Sequence, residues 1–290
     1  MRQIQQSELI LNPDGSIYHL NLLPEDISDL IILVGDQDRV PVVSHFFDTI
    51  EVKKQNREFR THTGTYKERR ISVISTGIGT DNIDIVINEL DALVNIDLKT
   101  REAKSEHKTL NFIRIGTSGA LQADIPVNTP VAATIGCGFD GLLNFYADRN
   151  KVSLLKLENA FLEHMKWNKL LATPYFVEGS DFLLNKVAFD MVQGITISAP
   201  GFYGPQGRVL RLPIADSNIN DKIASFACDS NKITNYEMEC SAIYGLSKLL
   251  NHNALTICNI IANRQRGEYS SDYKQHIVKL IKTVLDRFTA

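Results

Sequence analysis

The chain has 290 residues, 43% of them hydrophobic and 22% charged, which is enough apolar material for a substantial core in a globular protein of one large domain or two small ones. A net charge of -3 and a pI near 6.2 provide no broad basic field, so nucleic acid and anionic membrane surfaces are excluded as main partners in favour of a small-molecule ligand. Cys137, Cys228, Cys240 and Cys258 are scattered, with neither CxxC nor metal-ligand spacing, so they read as reduced thiols and not as a disulfide framework.

In chain order, the N-terminal "MRQIQQSELILNPDGS" lacks the apolar stretch of a signal peptide, and Leu30 to Val34 is too short to cross a bilayer, so a cytoplasmic address is expected. Short, uniformly apolar runs then recur: "LIILV" at 30, "ISVIS" at 71, "NFIRI" at 111, "TPVAAT" at 129, "GITIS" at 194 and "ALTICNIIA" at 254. Runs of this kind predict strands buried on both faces. Helical periodicity separates them, clearest at Ile83, Val86, Ile87, Leu90 and Val94, and again at Ile277, Leu280, Ile281, Val284 and Phe288. Residues 45 to 75 read as an antiparallel ribbon entering a strand, so the predicted class is α/β with a mixed sheet. The polar stretch 97 to 109 is too short for a linker and predicts a solvated loop or helix end, leaving 1–290 as one domain.

In such a sheet, ligands bind beyond the carboxyl ends of the strands, so the residues that follow each apolar run are the informative ones. "GDQDRV" brings Gly35 and the forked cation Arg39, "TGIGTDN" is a glycine-rich turn opening a helix, and "RIGTSG" carries Arg114 inside a strand with Thr117 in the turn expected after it. An arginine within an apolar strand needs an acceptor, which an edge position or a bound anion would supply. Arg39, Arg57 and Arg114 accompany these glycines without a GxxxxGK[ST] motif, which disfavours a P-loop nucleotide hydrolase and suggests a free phosphate or a phosphate ester. In "PGFYGPQGR", Phe202 offers an aromatic face, while the Gln206 amide and the Arg208 guanidinium are complementary to the carbonyl and N–H edge of uracil. In "NYEMECSAIYGL", Glu237 and Glu239 flank Met238 at the start of a helix, with Asn235 as a candidate N-cap. Residues two apart on a helix do not share a face, so the two acids cannot both cap it in one way.

Taken together, "YHLNL", "GDQDR", "REF", "TGIG", "RIGTSG", "FYGPQGR", "NYEME" and the later "NR" resemble the nucleoside phosphorylase family, and its uridine phosphorylase branch in particular, over nearly the whole chain. The resemblance implies a single α/β domain around a mixed, partly barrel-like sheet flanked by helices, and reversible phosphorolysis of uridine to uracil and ribose 1-phosphate. It implies phosphate binding by Gly35, Arg39, Arg114 and Thr117, together with Arg57 reaching the phosphate of an adjacent subunit. Ribose contacts fall to Glu239, Met238 and Glu237, with His19 meeting the 5′-hydroxyl across the same interface. Base contacts fall to Phe202, Gln206, Arg208 and Arg264, and Arg114, Glu239 and Arg264 carry the chemistry. The active unit is then a homo-oligomer, at least a dimer and up to a hexamer. No metal or cofactor is implied beyond phosphate as co-substrate, and Thr80, Asp81 and Asn82 stand where the family's potassium-binding turn has small residues. A purine nucleoside phosphorylase or a nucleosidase of the same superfamily, and a nucleoside-binding protein without turnover, are the alternatives. A nucleosidase does not need three phosphate-binding arginines, and a purine enzyme is expected to carry an acid near position 264, where Asn263 and Arg264 stand.

Overall fold

The computed structural model describes residues 3–290. Strand β1 (Leu30–Val34) leads into helix α1 (Arg39–Ser44), and β2 (Thr49–Asn56), β3 (Phe59–Tyr66) and β4 (Arg69–Ser75) form the expected antiparallel ribbon. Helix α2 (Thr80–Asn95) follows, and the polar stretch after it holds a small hairpin, β5 (Ile96–Asp97) and β6 (Glu102–Ala103). The central part of the chain runs through β7 (Asn111–Ala120), β8 (Pro130–Gly138), α3 (Leu155–Met165), β9 (Tyr175–Glu178), α4 (Asp181–Val187) and β10 (Val192–Ser198). The remainder comprises α5 (Ile219–Ser225), β11 (Ala227–Cys228), β12 (Asn231–Glu237), α6 (Cys240–Leu249), β13 (Asn253–Asn263), β14 (Glu268–Tyr269) and α7 (Tyr273–Thr289).

Each uniformly apolar run is a strand, because its residues are covered on both faces. β1 is buried throughout and pairs in parallel with β4 on one side and β7 on the other. β7 pairs in parallel with β13 along most of its length, and a register shift at Ile260/Ala262 breaks the even ladder near its end. Beyond that shift β7 pairs antiparallel with β12, placing Tyr236 opposite Gly119. The sheet therefore closes on itself through β7, β13, β8, β10 and β12, a mixed barrel-like ring with the ribbon as an open extension.

Helices cover the sheet on both faces. Ile83, Val86, Ile87 and Leu90 of α2 pack with Ile243 and Leu246 of α6 in one buried cluster, while Val40 of α1, Leu183 of α4, and Ile277, Ile281 and Val284 of α7 fill another. The stripes on α2 and α7 are the 3.6-residue periodicity visible in the sequence. Phe161 of α3 joins Phe139, Phe176 and Phe226 in an aromatic cluster. Because β1, β4, β7 and β13 run in one direction, the segments after β1 and β4 and the ends of β7 and β13 meet on one side of the sheet.

Candidate active site

A cleft of about 890 Å³ opens at those strand ends. Gly35 and Arg39 line one end with Arg114 and Thr117. Thr117 lies within β7, not in a turn after it, because pairing with β13 carries the strand on to Ala120. Arg39 opens α1 and donates from Nη1 to the carbonyl of Ile115 at 3.4 Å. Burial lowers its pKa, and the positive charge of Arg114 adds to the effect. No carboxylate lies within ion-pair distance of Arg39 among the described residues, so this end has cationic capacity for an anion.

Arg114 is buried in a central strand, and its acceptors are two carboxylates, not a sheet edge as the sequence allowed. Nη2 donates to Glu239 in a short contact, and Nη1 stands 3.6 Å from Glu237. Burial opposes the charge on Arg114, but Glu239 and then Glu237 outweigh it and raise the pKa. The two acids have different work. The Glu237 carboxylate accepts from the Ser198 hydroxyl at 2.6 Å, the Glu239 amide at 2.9 Å and the Cys240 amide at 2.9 and 3.0 Å, so it caps α6 from the strand before it. Burial pushes its carboxyl up to about 7, against the pull of Arg114. Asn235 does not cap; its side chain donates to Ser118 from within β12.

Glu239 turns the other way. Its Oε1 accepts the Gly79 amide at 2.8 Å while Oε2 takes Arg114, and Met238 beside it lines the cleft half-buried. Gly79 has φ +98 and Gly77 φ +71, backbone that disfavours a side chain, so the "TGIG" turn brings its amide to a carboxylate of this protein. The glycine-rich turn that opens α2 thus spends this amide on Glu239.

At the opposite end, Phe202 is half exposed, and the Arg208 guanidinium lies 3.7 Å from the centre of its ring. Gln206 is buried, and its side-chain oxygen accepts from Arg208 Nη1 at 2.6 Å and from Arg264 Nη2 at 3.2 Å. Arg264 also donates to the Gln206 backbone carbonyl in a short contact. Burial, then repulsion from Arg208, lowers Arg264 to about 10, and burial lowers Arg208. One amide thus clamps two like charges. Its oxygen is saturated by guanidinium donors, which leaves the N–H₂ group to meet a carbonyl acceptor.

His19 and Arg57 are absent from the lining of this cleft. They share a surface patch instead: Asn56 donates to the His19 carbonyl at 2.9 Å, and Arg57, at φ +52 in the β2–β3 turn, lies over Tyr18 at 5.9 Å. Sequence reasoning missed Glu58, Asn82, Tyr236 and Tyr269, which also line the cleft, and Ser198, which holds Glu237. For Tyr236 the signal was available, since it directly precedes the acidic pair, and Glu58 and Asn82 lie within "REF" and "TGIGTDN"; Tyr269 and Ser198 carry no motif of their own.

Comparisons with known proteins give the family. A family model described as the phosphorylase superfamily matches residues 29–289. A uridine phosphorylase of Thermococcus kodakarensis is 30% identical over 88% of this chain and 80% of its own length, and a DeoD-type purine nucleoside phosphorylase of Listeria monocytogenes is 27% identical over 87% of this chain and 90% of its own. Among solved structures, a Trypanosoma brucei nucleoside phosphorylase whose structure is reported to show uridine phosphorylase activity superposes with a TM-score of 0.87 at 27% identity, covering 97% of this chain and all of that one. With its fold, its cleft and a family match over nearly its whole length, the chain belongs to the phosphorylase superfamily and is an enzyme of the nucleoside phosphorylase type, transferring a pentosyl group.

Proposed function

We propose that this enzyme is a uridine phosphorylase, converting uridine and inorganic phosphate reversibly to uracil and ribose 1-phosphate. The observation that carries the reading is one cleft with guanidiniums at both ends: Arg39 and Arg114 with Thr117 at one, and Arg208 with Gln206 at the other, where Arg264 holds Gln206 from outside the lining. Phosphate held by Gly35, Arg39, Arg114 and Thr117 attacks C1′ of the ribose. As the glycosidic bond breaks, positive charge grows on the sugar and negative charge on the base. The phosphate beneath the sugar stabilises the first, and the Gln206 amide with Arg208 and Arg264 stabilises the second. Glu239 holds the ribose hydroxyls with Met238 against the sugar, Glu237 fixes the turn that aims them, and Phe202 packs on the base. The uracil oxygens are acceptors suited to this donor-rich end, and the chemistry needs no group beyond phosphate.

The surface patch carrying His19 and Arg57 suits a homo-oligomer in which these side chains complete a neighbouring cleft, one meeting the ribose 5′-hydroxyl and the other the phosphate. Four free thiols suit a cytoplasmic role in pyrimidine salvage. The similarity to purine nucleoside phosphorylases favours a second reading in which inosine is the substrate. Competition between the two nucleosides separates these readings. A site that uses buried polar groups to recognise its base rejects the wrong one by on the order of 10⁴, so uridine is expected to outcompete inosine heavily. Cytidine is expected to fail as well, because its amino group would donate towards Arg208 and Arg264. Equal turnover of inosine and uridine would replace this reading with the purine one.

A further inference from the structure

Glu89 of α2, outside the lining of the cleft, gathers donors from the N-terminal segment. Its carboxylate accepts the backbone amide of His19 at 3.1 and 3.2 Å, the amide of Leu20 at 2.9 Å, and Nδ1 of the His19 ring at 2.6 Å. The His19 side chain is 27% exposed and that of Glu89 14%, so the carboxylate is the more sheltered partner and the imidazole the one that reaches solvent. An ionised carboxylate only accepts, so the hydrogen must stand on Nδ1. The neutral ring then has a single lone pair on nitrogen, at Nε2, facing away from Glu89.

We propose that Glu89 is a positioning residue: it fixes the tautomer and the direction of His19 so that Nε2 accepts a hydrogen bond from the 5′-hydroxyl of the nucleoside. The inference rests on the reading of His19 given above. It assigns a task to a carboxylate that touches no substrate. Without Glu89 the ring can rotate, and its hydrogen can move to Nε2, which then offers a donor where an acceptor is needed. The segment itself has other anchors, so the ring's direction can be lost without the loss of its backbone. Ile17 and Leu20 are buried in the core, Asn12 donates to the Ile17 carbonyl at 3.0 Å, and Asn56 donates to that of His19 at 2.9 Å.

The test compares kcat/KM for uridine and 5′-deoxyuridine in the unmodified oligomer, Glu89→Ala, Glu89→Gln, His19→Ala and the double variant, with melting curves to verify folding. The unmodified protein is expected to prefer uridine about tenfold, the scale of one hydroxyl hydrogen bond. His19→Ala and Glu89→Ala should each bring that ratio close to one, and the double variant should lower it no further. Glu89→Gln, whose carbonyl can still accept from Nδ1, should keep part of the preference. The inference is overturned if Glu89→Ala retains the full preference, if it slows both substrates equally, or if its effect adds to that of His19→Ala. No preference in the unmodified protein, or a preference that survives His19→Ala, would instead remove the role given to His19, and this proposal with it.

Discussion

Arg114 is the one guanidinium in the cleft that is both paired and placed to meet an anion, so its removal has two separable costs. Arg114→Ala leaves Glu237 and Glu239 buried together without a cation, and breaking such a pair costs roughly 3–5 kcal/mol of stability. On the proposed reading it also removes a guanidinium contact to the attacking phosphate, so phosphorolysis should fall at least tenfold even where the protein stays folded. Arg114→Lys tests the fork alone, since it keeps the charge without the bidentate geometry. The two glutamates should separate in the same manner. Both Glu239→Gln and Glu237→Gln should lower the melting temperature, since each takes a buried charge from Arg114, but Glu239→Gln should depress kcat/KM for the nucleoside far more, because Glu237 is engaged with Ser198 and the helix amides. Equal losses of kcat/KM in these two variants would contradict the division of labour.

At the scale of elements, the junction of β12 and α6 explains why two acids flank a methionine. Glu237 ends the strand and faces the helix N-terminus, whereas Glu239 is already at the helix N-cap and faces the cleft. The spacing was legible in the sequence, but the strand-to-helix turn that separates the two side chains was not. The central strands were legible because burial on both faces removes polar residues from them. The acceptor of Arg114 was not, since Glu239 stands 125 residues away and only closure of the sheet brings it near. A second junction makes a pH prediction. His62 on β3 is buried against α1, its Nδ1 at 2.7 Å from the Ser44 hydroxyl, and burial, then Arg60 and Lys53, lowers its pKa to about 4. A depressed imidazole contributes stability above its unfolded pKa of about 6.5 and loses it as pH falls through the folded value. The urea midpoint should therefore decline as pH is lowered from about 6.5 towards about 4, and His62→Gln should flatten that part of the profile. An unchanged slope in the variant would show that other groups control acid stability.

For the whole molecule, the cleft of one chain holds Glu239 but not His19 or Arg57, so a complete site requires a neighbour if the family's arrangement applies. Mixing Arg57→Ala and Glu239→Ala chains, each impaired alone, should restore part of the activity once subunits have exchanged, because one class of hybrid site then contains both intact residues. No recovery after verified exchange would mean that each site is built within a single chain. The motif order from "GDQDR" to "NYEME" made the cleft's two ends legible in the sequence, since both lie on segments that follow apolar runs. The clamp on Gln206 was not legible, because Arg264 reaches it from 58 residues further along the chain. What joins the two ends into one function is transfer of the ribosyl group to phosphate. The most direct test is uridine cleavage by the unmodified protein with and without inorganic phosphate, with the sugar product identified. The account predicts ribose 1-phosphate and uracil in equal amounts, and cleavage that ceases when phosphate is withdrawn. Free ribose released equally fast without phosphate would contradict it.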